Sequence, residues 1–347
     1  MALGLCWTRS TTRQHSDQAV EVFVMLSGFV IALMLSNEGE PYDRYIFRRF
    51  MRLYPLFLIA LVYGMMTGHL YGSVFGESPW LRHVRAGFQT REENLTGTFF
   101  EHMLLHLTML HGIVPDTILP QAPLMFSGPL WSISLEWQFY LIAPLLIGAI
   151  GFRNARRMAI SAGILLFAIG LQKVTLHHWK GEAPSFLPLR FPLYIVGIMS
   201  AALWHDARKA RPAVLAAAVV AGSIIASLFS PNILPLLMWF GMYFLAAAHD
   251  KLGVPRLADR IISSRVPTFI GQVSYGLYVL HVPTMMLVCY YVVFPMGIQG
   301  RFYGAVTITA VTLPITLILA ALSFNIIEKP MARWARGYRR SARAPAE

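Results

Sequence analysis

The 347-residue chain is strongly apolar and carries a surplus of positive charge. Hydrophobic residues make up 56% of the sequence and charged residues only 13%, whereas ordinary soluble domains carry about 25% charge. So few charges cannot cover a water-exposed surface, and the composition excludes a soluble globular domain. The mean hydropathy of +0.54 and the formal net charge of +12 indicate a protein of the lipid bilayer.

Apolar runs long enough to cross a bilayer recur along the sequence. A helix of about 20 residues spans roughly 30 Å of hydrocarbon, and nine stretches approach this length. The sequence therefore predicts an all-α fold, a polytopic transmembrane helical bundle of about nine spanning helices. The predicted spans are residues 20–37, 53–72, 131–150, 157–174, 188–204, 212–230, 233–249, 269–294 and 302–326.

These spans also predict how the chain is organised. Residues 20–330 form one membrane domain, preceded by an irregular segment, 1–19, and followed by a basic tail, 331–347. Residues 101–114 are too short and too polar to span, so their helical periodicity favours a helix lying in the membrane interface. A metal site needs at least three well-placed ligands, and the spacing of the histidines in this segment does not provide them. We therefore expect these histidines to be exposed or interfacial. They are His102, His106 and His111.

Lys and Arg residues are concentrated in alternate loops. The positive-inside rule places such loops in the cytoplasm, so we interpret the basic charge as a topology signal and not as a nucleic-acid site. We expect a multi-pass protein of the bacterial inner membrane, surrounded by the lipid bilayer, with its C-terminus in the cytoplasm. Five segments carry 20 of the 29 Lys and Arg residues: 38–52, 151–157, 205–211, 250–268 and 328–347.

Three polar clusters adjoin the apolar runs, at residues 131–140 (WSISLEWQFY), 48–52 (RRFMR) and 274–281 (SYGLYVLH). An ionisable side chain is costly inside hydrocarbon, which makes Glu136 in the first cluster a functional-site hypothesis by default. The arginines of the second cluster suit bidentate phosphate binding, although simple anchoring at the cytoplasmic face explains them equally. Together the clusters predict a polar site inside the membrane domain.

The same residues have structural alternatives. Glu136 is either an orienting or proton-accepting carboxylate in a cavity, or a buried carboxylate that pairs with an arginine. His281 either lines a polar path near the middle of its helix or forms a hydrogen bond between helices. Trp131 and Tyr140 also suit an interfacial aromatic belt, and Ser134 suits a helix–helix hydrogen bond.

The sequence contains little that would bind a cofactor tightly. Cys6 and Cys289 lie far apart and provide neither metal-ligand spacing nor a disulfide framework. No phosphate-cradling glycine loop, zinc motif or Gly-x-Ser-x-Gly elbow is found. We therefore expect no bound cofactor and no metal.

Five segments resemble, in the right order, the sequence blocks of the integral-membrane acyltransferase-3 family. They cover nearly the whole chain, and the ordered set is far more specific than any one block. Residues 21–29 (EVFVMLSGF) resemble "VDLFFVLSGF", 48–55 (RRFMRLYP) resemble "RRxxRxxP", 131–140 resemble "WSLSVEEQFY", 274–281 resemble "SYxxYLxH", and 325–330 (NIIEKP) resemble the closing "E-x-P".

The resemblance implies a membrane O-acyltransferase that moves an acetyl or similar group from a cytoplasmic acyl-CoA to a hydroxyl of an extracytoplasmic glycan or lipid-linked sugar. It implies catalytic roles for Glu136 and His281, and binding of the acyl-CoA head group by Arg48, Arg49 and Arg52. The implied substrate-binding residues are Glu21, Trp131, Ser134, Tyr140 and Tyr278.

Two departures from the family pattern bear on activity. The family begins with a helix that carries an Arg and, about ten residues later, a His that is the leading candidate for the base. Residues 1–18 contain Arg9, Arg13 and His15 but do not reproduce this spacing on an apolar helix. The sequence therefore predicts that the first helix is missing and that acyl transfer by this chain is weak. Trp137 stands where the family often has a second Glu.

Two alternatives to an active acyltransferase are compatible with the sequence. One is a truncated or inactive family member. The other is a polytopic transporter without acyl-transfer chemistry, although transporters often show two related halves and no such repeat is visible here.

Overall fold

The structure is a computed structural model that describes residues 9–38, 40–77, 85–181, 183–227, 233–252, 260, 263–298 and 300–337. Within these ranges the chain forms helices and turns and no strand, which confirms the all-α prediction. The helices are α1 (Arg9–Glu38), α2 (Tyr42–Thr67), α3 (Leu70–Glu77), α4 (Arg85–Leu107), α5 (Leu130–Ala149), α6 (Ala155–His178), α7 (Phe191–Ala202), α8 (Trp204–Lys209), α9 (Pro212–Ser227), α10 (Ile233–Leu252), α11 (Arg265–Val288), α12 (Arg301–Ser323) and α13 (Lys329–Gly337).

Seven helical stretches are long and apolar enough to cross a membrane, and they lie in α1, α2, α5, α6, α10, α11 and α12. The other two predicted spans correspond to shorter apolar helices, α7 and the Pro212–Ile224 part of α9. At 1.5 Å per residue the 12 residues of α7 extend about 18 Å, which is less than the hydrocarbon thickness. The helical bundle is thus confirmed, with seven full-length helices in the described part of the chain where nine were expected.

The two terminal segments differ from expectation in their secondary structure, while the predicted domain bounds stay a prediction. Helix α1 already begins at Arg9, so residues 9–19 are helical and not irregular. The reason is that no Gly or Pro lies between Arg9 and Gly28, and hydropathy locates only where a helix becomes apolar. At the other end, residues 331–337 belong to α13. Residues 1–8 and 338–347 lie outside the described residues.

Helices α2 and α5 run in opposite directions through the bundle. Arg49 of α2 lies over the ring of Tyr140, and two turns further along α2, Phe57 stacks on His111, which contacts Leu130 at the start of α5. We call the end of the bundle at which α2 begins the basic end. We call the opposite end, at which α5 begins, the histidine end.

Helices α1 and α7 make the most extensive contact among the described helices. Two glycines allow it: a Cβ at Gly28 would lie 2.5 Å from the carbonyl oxygen of Tyr194, and a Cβ at Gly197 would lie even closer to that of Met25. Small residues at such interfaces let transmembrane helices approach closely. The ring of Tyr194 then stacks on Phe139 of α5, with centroids 4.0 Å apart, so α7 ties α1 to the centre of the bundle.

This contact predicts that Gly197→Ala destabilises the protein by about 1–3 kcal/mol, the usual cost of overpacking. Thermal unfolding in detergent measures the loss. The matched control is Gly163→Ala in α6, where an added Cβ meets nothing within 4 Å. Equal melting temperatures for the two variants would contradict the proposed close packing.

Helix α4 has its polar and apolar sides reversed relative to a surface helix. It is kinked at Thr98 (φ −133°, ψ 28°), and beyond the kink His102 and His106 are completely buried. The opposite side of this segment exposes Phe100 (83%) and Leu104 (66%). The expectation of exposed or interfacial histidines is therefore wrong. Periodicity separated the two sides of the helix, but the neighbouring helices decide which side faces inward.

The chain after α4 is held against the first turns of α5. His111 is buried and its Nε2 lies 3.1 Å from the carbonyl oxygen of Leu130, while the backbone N–H of Gly112 donates to Oγ of Ser134 at 3.0 Å. The ring of His111 stacks on His106 at 4.0 Å with an interplanar angle of 3°. Burial lowers the pKa of His111 to about 4, so the imidazole is neutral at physiological pH.

A buried neutral histidine makes stability depend on pH. The folded pKa of His111 is about 4, below the value of about 6.5 expected in the unfolded chain. Its contribution is therefore complete above pH 6.5 and is lost as the pH falls toward 4, by about 3 kcal/mol in total. We expect the free energy of unfolding to show this acid-dependent loss, and His111→Phe to reduce the pH slope below pH 6.5. Substitution of the exposed His69 by Gln should leave the slope unchanged, and equal slopes for the two variants would disprove the assignment.

Candidate functional site

A basic pocket of about 420 Å³ opens at the basic end, between α2, α11 and the α12–α13 connection. The three arginines predicted to bind the donor all line it. The three arginines therefore share one pocket, and their role in donor binding stays a prediction. The lining residues are Arg48, Arg49, Arg52, Gly271, Gln272, Ser274, Tyr275, Phe324, Glu328, Lys329, Ala332, Ala335 and Arg336.

The three arginines differ in their surroundings. Arg48 donates through Nη1 to both carboxylate oxygens of Glu40 at 3.0 Å, and Arg44 also pairs with Glu40 at 3.2 Å. Glu40 thereby neutralises part of the charge of Arg48. Arg52 is exposed to the pocket. The sequence did not single out Glu40, because its role depends on the turn that brings it back to α2.

Arg49 is a buried guanidinium between two aromatic rings. Its carbon Cζ lies 5.9 Å from the ring centre of Tyr45 and 5.8 Å from that of Tyr140, distances at which cation–π attraction operates. Its Nη2 lies 2.7 Å from Sδ of Met34. Tyr45 precedes Arg49 by one helical turn and therefore shares its side of α2. Arg49 is thus the link between the pocket and α5.

Glu136 lies directly behind this arginine. Its side chain is buried, and the hydroxyl of Tyr140, one turn along α5, donates to its Oε1. Arg49 and Arg52 both act electrostatically on the carboxylate. A continuous polar path therefore runs from the basic pocket through Arg49 and Tyr140 to Glu136 in the bundle interior.

His281 is not part of this path. Its Nδ1 lies 2.6 Å from the carbonyl oxygen of Tyr278, and the hydroxyl of Tyr278 accepts from Oγ of Ser132 at 2.9 Å. Since α5 and α11 run in opposite directions, His281 lies roughly two helical turns from Glu136, toward the histidine end. Neither Glu136 nor His281 is among the residues that line the basic pocket, so this pocket does not bring the two residues together.

The predicted substrate-binding residues are spread over several places. Glu21 forms an ion pair with Arg190 at 2.9 Å and lines a separate, largely apolar cavity of about 740 Å³. Ser134 is fully buried and bonded to the loop after α4, and Trp131 is buried in the core. The structure therefore gives Glu21 and Ser134 structural partners, and brings Tyr140 to Glu136.

Sequence reasoning missed the pocket residues on α13, Lys329 and Arg336. Arg336 lies in the segment interpreted as a basic tail, and Lys329 lies at the end of the predicted membrane domain. Only their spacing of seven residues could have indicated one helix side. Among the described residues, no group of three or more His, Cys, Asp or Glu side chains could hold a metal ion.

The sequence of this chain is similar to the sequences of several known transferases. The chain is 22% identical over 309 residues to ORF330 of Acidianus two-tailed virus, named as an acetyltransferase, covering 85% of this chain and 79% of that protein. It is 27% identical over 351 residues to the peptidoglycan O-acetyltransferase OatA of Listeria monocytogenes, covering 90% of this chain and 51% of OatA. It is 30% identical over 135 residues to the acyltransferase MdmB of Streptomyces mycarofaciens, covering 37% of this chain and 27% of MdmB.

The chain thus spans about half the length of OatA. No solved structure matches it. The sequence profile of the acyltransferase domain matches residues 6–322, almost the whole of the helical bundle. This multi-pass membrane protein belongs to the acyltransferase-3 family.

Proposed function

We propose that the protein is a membrane O-acyltransferase that moves an acetyl or similar group from acyl-CoA to a sugar hydroxyl of a cell-surface or exported glycan. The observation that carries this proposal is the polar path from the arginine-lined pocket to Glu136. An open basic pocket at one end and a buried carboxylate behind it suit a donor that enters from one side of the membrane and reacts inside the bundle.

The donor would bind at the basic end. CoA carries a pyrophosphate and a 3′-phosphate, and arginine binds phosphate oxygens bidentately. Arg52 is exposed to the pocket, and Arg49 lies at its inner limit beside Tyr140. The narrow pantetheine arm would extend past Arg49. This course would bring the thioester to Glu136. By the positive-inside rule this end faces the cytoplasm, where acyl-CoA is made, and the membrane is the bacterial inner membrane.

The acceptor hydroxyl would approach Glu136 from the histidine end. Glu136 accepts the hydroxyl proton while the oxygen attacks the thioester carbon, and a C–O bond forms. Collapse of the tetrahedral intermediate breaks the C–S bond and expels the CoA thiolate, which takes the proton from Glu136. The products are the O-acyl glycan and free CoA. Tyr140 holds the carboxylate in place, since its hydroxyl donates to Oε1.

Glu136→Gln is expected to reduce the turnover number by about 10²–10⁴-fold, the usual worth of a general base. The variant keeps the shape of the side chain and can still accept a hydrogen bond from Tyr140. The assay is the release of CoA thiol from acetyl-CoA by protein in lipid nanodiscs, supplied with soluble peptidoglycan fragments or exopolysaccharide. Glu101→Gln, at an exposed carboxylate of α4, is the control and should retain full activity.

Unchanged thiol release by Glu136→Gln would mean that Glu136 has a structural role and is not the general base. Absence of acetyl-CoA-dependent acylation of any glycan by the unaltered chain would contradict the enzymatic proposal and favour a transporter or an inactive member.

Arg49→Lys is expected to raise the KM for acetyl-CoA by about tenfold or more, because the planar fork is lost while the charge remains. The turnover number should change less than KM if Arg49 binds the donor and does not take part in chemistry. Arg153→Lys, at an exposed position in the α5–α6 connection at the basic end, should have no effect. An equal loss in turnover number for Arg49→Lys would contradict a role in donor binding.

A further inference from the structure

The C-terminal helix α13 is an integral part of the basic end. It continues α12 without a break through a π-helical turn at Phe324–Glu328, and it packs against α2. Trp334 contacts Phe47 of α2 edge-to-face, with ring centroids 5.4 Å apart. This contact fixes the helix beside the arginine cluster, although the sequence alone suggested a tail.

One side of α13 forms the outer wall of the basic pocket. Lys329, Ala332 and Arg336 line the pocket, and their spacings of three and four residues put them on the same helix side. Arg333 is exposed and does not line the pocket. The small side chain of Ala332 leaves room between the two cations. The helix thus presents two positive charges to the pocket, whereas Arg333, although within one turn of each, is not part of the pocket lining.

The π-helical turn accounts for this orientation. A single π turn inserts one extra residue into a helix and rotates everything that follows, and such turns are frequent at functional sites. Here the turn joins α12 to α13, and its last residue, Glu328, is itself part of the pocket wall. The rotation therefore decides which side of α13 faces the arginines of α2.

The charges divide the pocket into two parts. At the inner part, Arg49 lies between two tyrosine rings and Arg48 is paired with Glu40. Lys329 and Arg336 of α13 line the same pocket as the exposed Arg52, and Glu328 acts electrostatically on Arg52. The positive charge best placed for an external anion is therefore supplied largely by α13.

We propose that α13 is the second half of the donor site, and that its inward side binds the phosphates of the nucleotide end of acyl-CoA. The proposal rests on the proposed function and adds its donor specificity. The reacting thioester must reach Glu136, so the opposite end of the donor lies at the pocket opening, beside Arg336. The 3′-phosphate is at that end. The site thus selects complete CoA thioesters over acyl-pantetheine donors, which lack these phosphates.

The test is a binding measurement that needs no acceptor. CoA, 3′-dephospho-CoA and pantetheine are titrated calorimetrically into the full chain in maltoside micelles. We expect CoA to bind about three- to tenfold more tightly than dephospho-CoA, as suits a partly exposed charge pair, and pantetheine to bind much more weakly than either. In Arg336→Ala the preference for CoA over dephospho-CoA should disappear. The substitution and the loss of the 3′-phosphate from the ligand remove the same contact, so their effects are not additive.

Arg333→Ala is the matched control, on the same helix but outside the pocket lining, and should bind like the unaltered chain. A second arm adds phosphatidylglycerol to the micelles and separates nucleotide from lipid phosphate. If the lipid abolishes the effect of Arg336→Ala, the cations bind membrane head groups and the proposal is wrong. CoA binding that is indifferent to the 3′-phosphate and to Arg336 overturns this inference alone, whereas no CoA binding at all overturns the proposed function as well.

Discussion

A charged guanidinium in an apolar bundle has to be compensated, and the compensation of Arg49 organises the centre of this protein. Two tyrosine rings enclose it, and one of them, Tyr140, also donates to Glu136. Removing any one of these groups would leave a buried charge or polar atom without its counterpart, which is expensive at low dielectric. The arrangement therefore fixes the relative positions of α2 and α5, and it joins the basic pocket to the bundle interior.

The two ends of the bundle are built on different principles. The basic end concentrates cations around an open pocket and uses Glu40 and Glu328 to moderate them. The histidine end is formed by α4 and the loop after it, where the buried rings of His106 and His111 stack on each other and His111 contacts a backbone carbonyl group. An anionic donor suits the first environment and a neutral acceptor suits the second. Under the proposed function, this asymmetry would separate the donor side from the acceptor side.

Much of the site could be anticipated from sequence, because an ionisable residue in an apolar run stands out. Glu136 and the arginines of α2 were identified in this way, and the structure brings them together. His281 was identified by the same signal but bonds to the backbone of its own helix. A polar side chain in hydrocarbon must find a partner, and that partner can be catalytic machinery or a nearby carbonyl oxygen. The sequence contains no information that distinguishes the two cases.

Composition, hydropathy and block order by themselves determined that this is an all-α multi-pass membrane protein of the acyltransferase-3 family. Composition and hydropathy are sums over residues, and block order follows the chain. None of them requires knowing which residues are in contact in the folded protein. Only the tertiary structure decided that His102, His106 and His111 face inward, that Glu21 pairs with Arg190, and that α13 is part of a pocket. Each of these depends on which helix side meets another helix, and residues far apart in the chain set that contact.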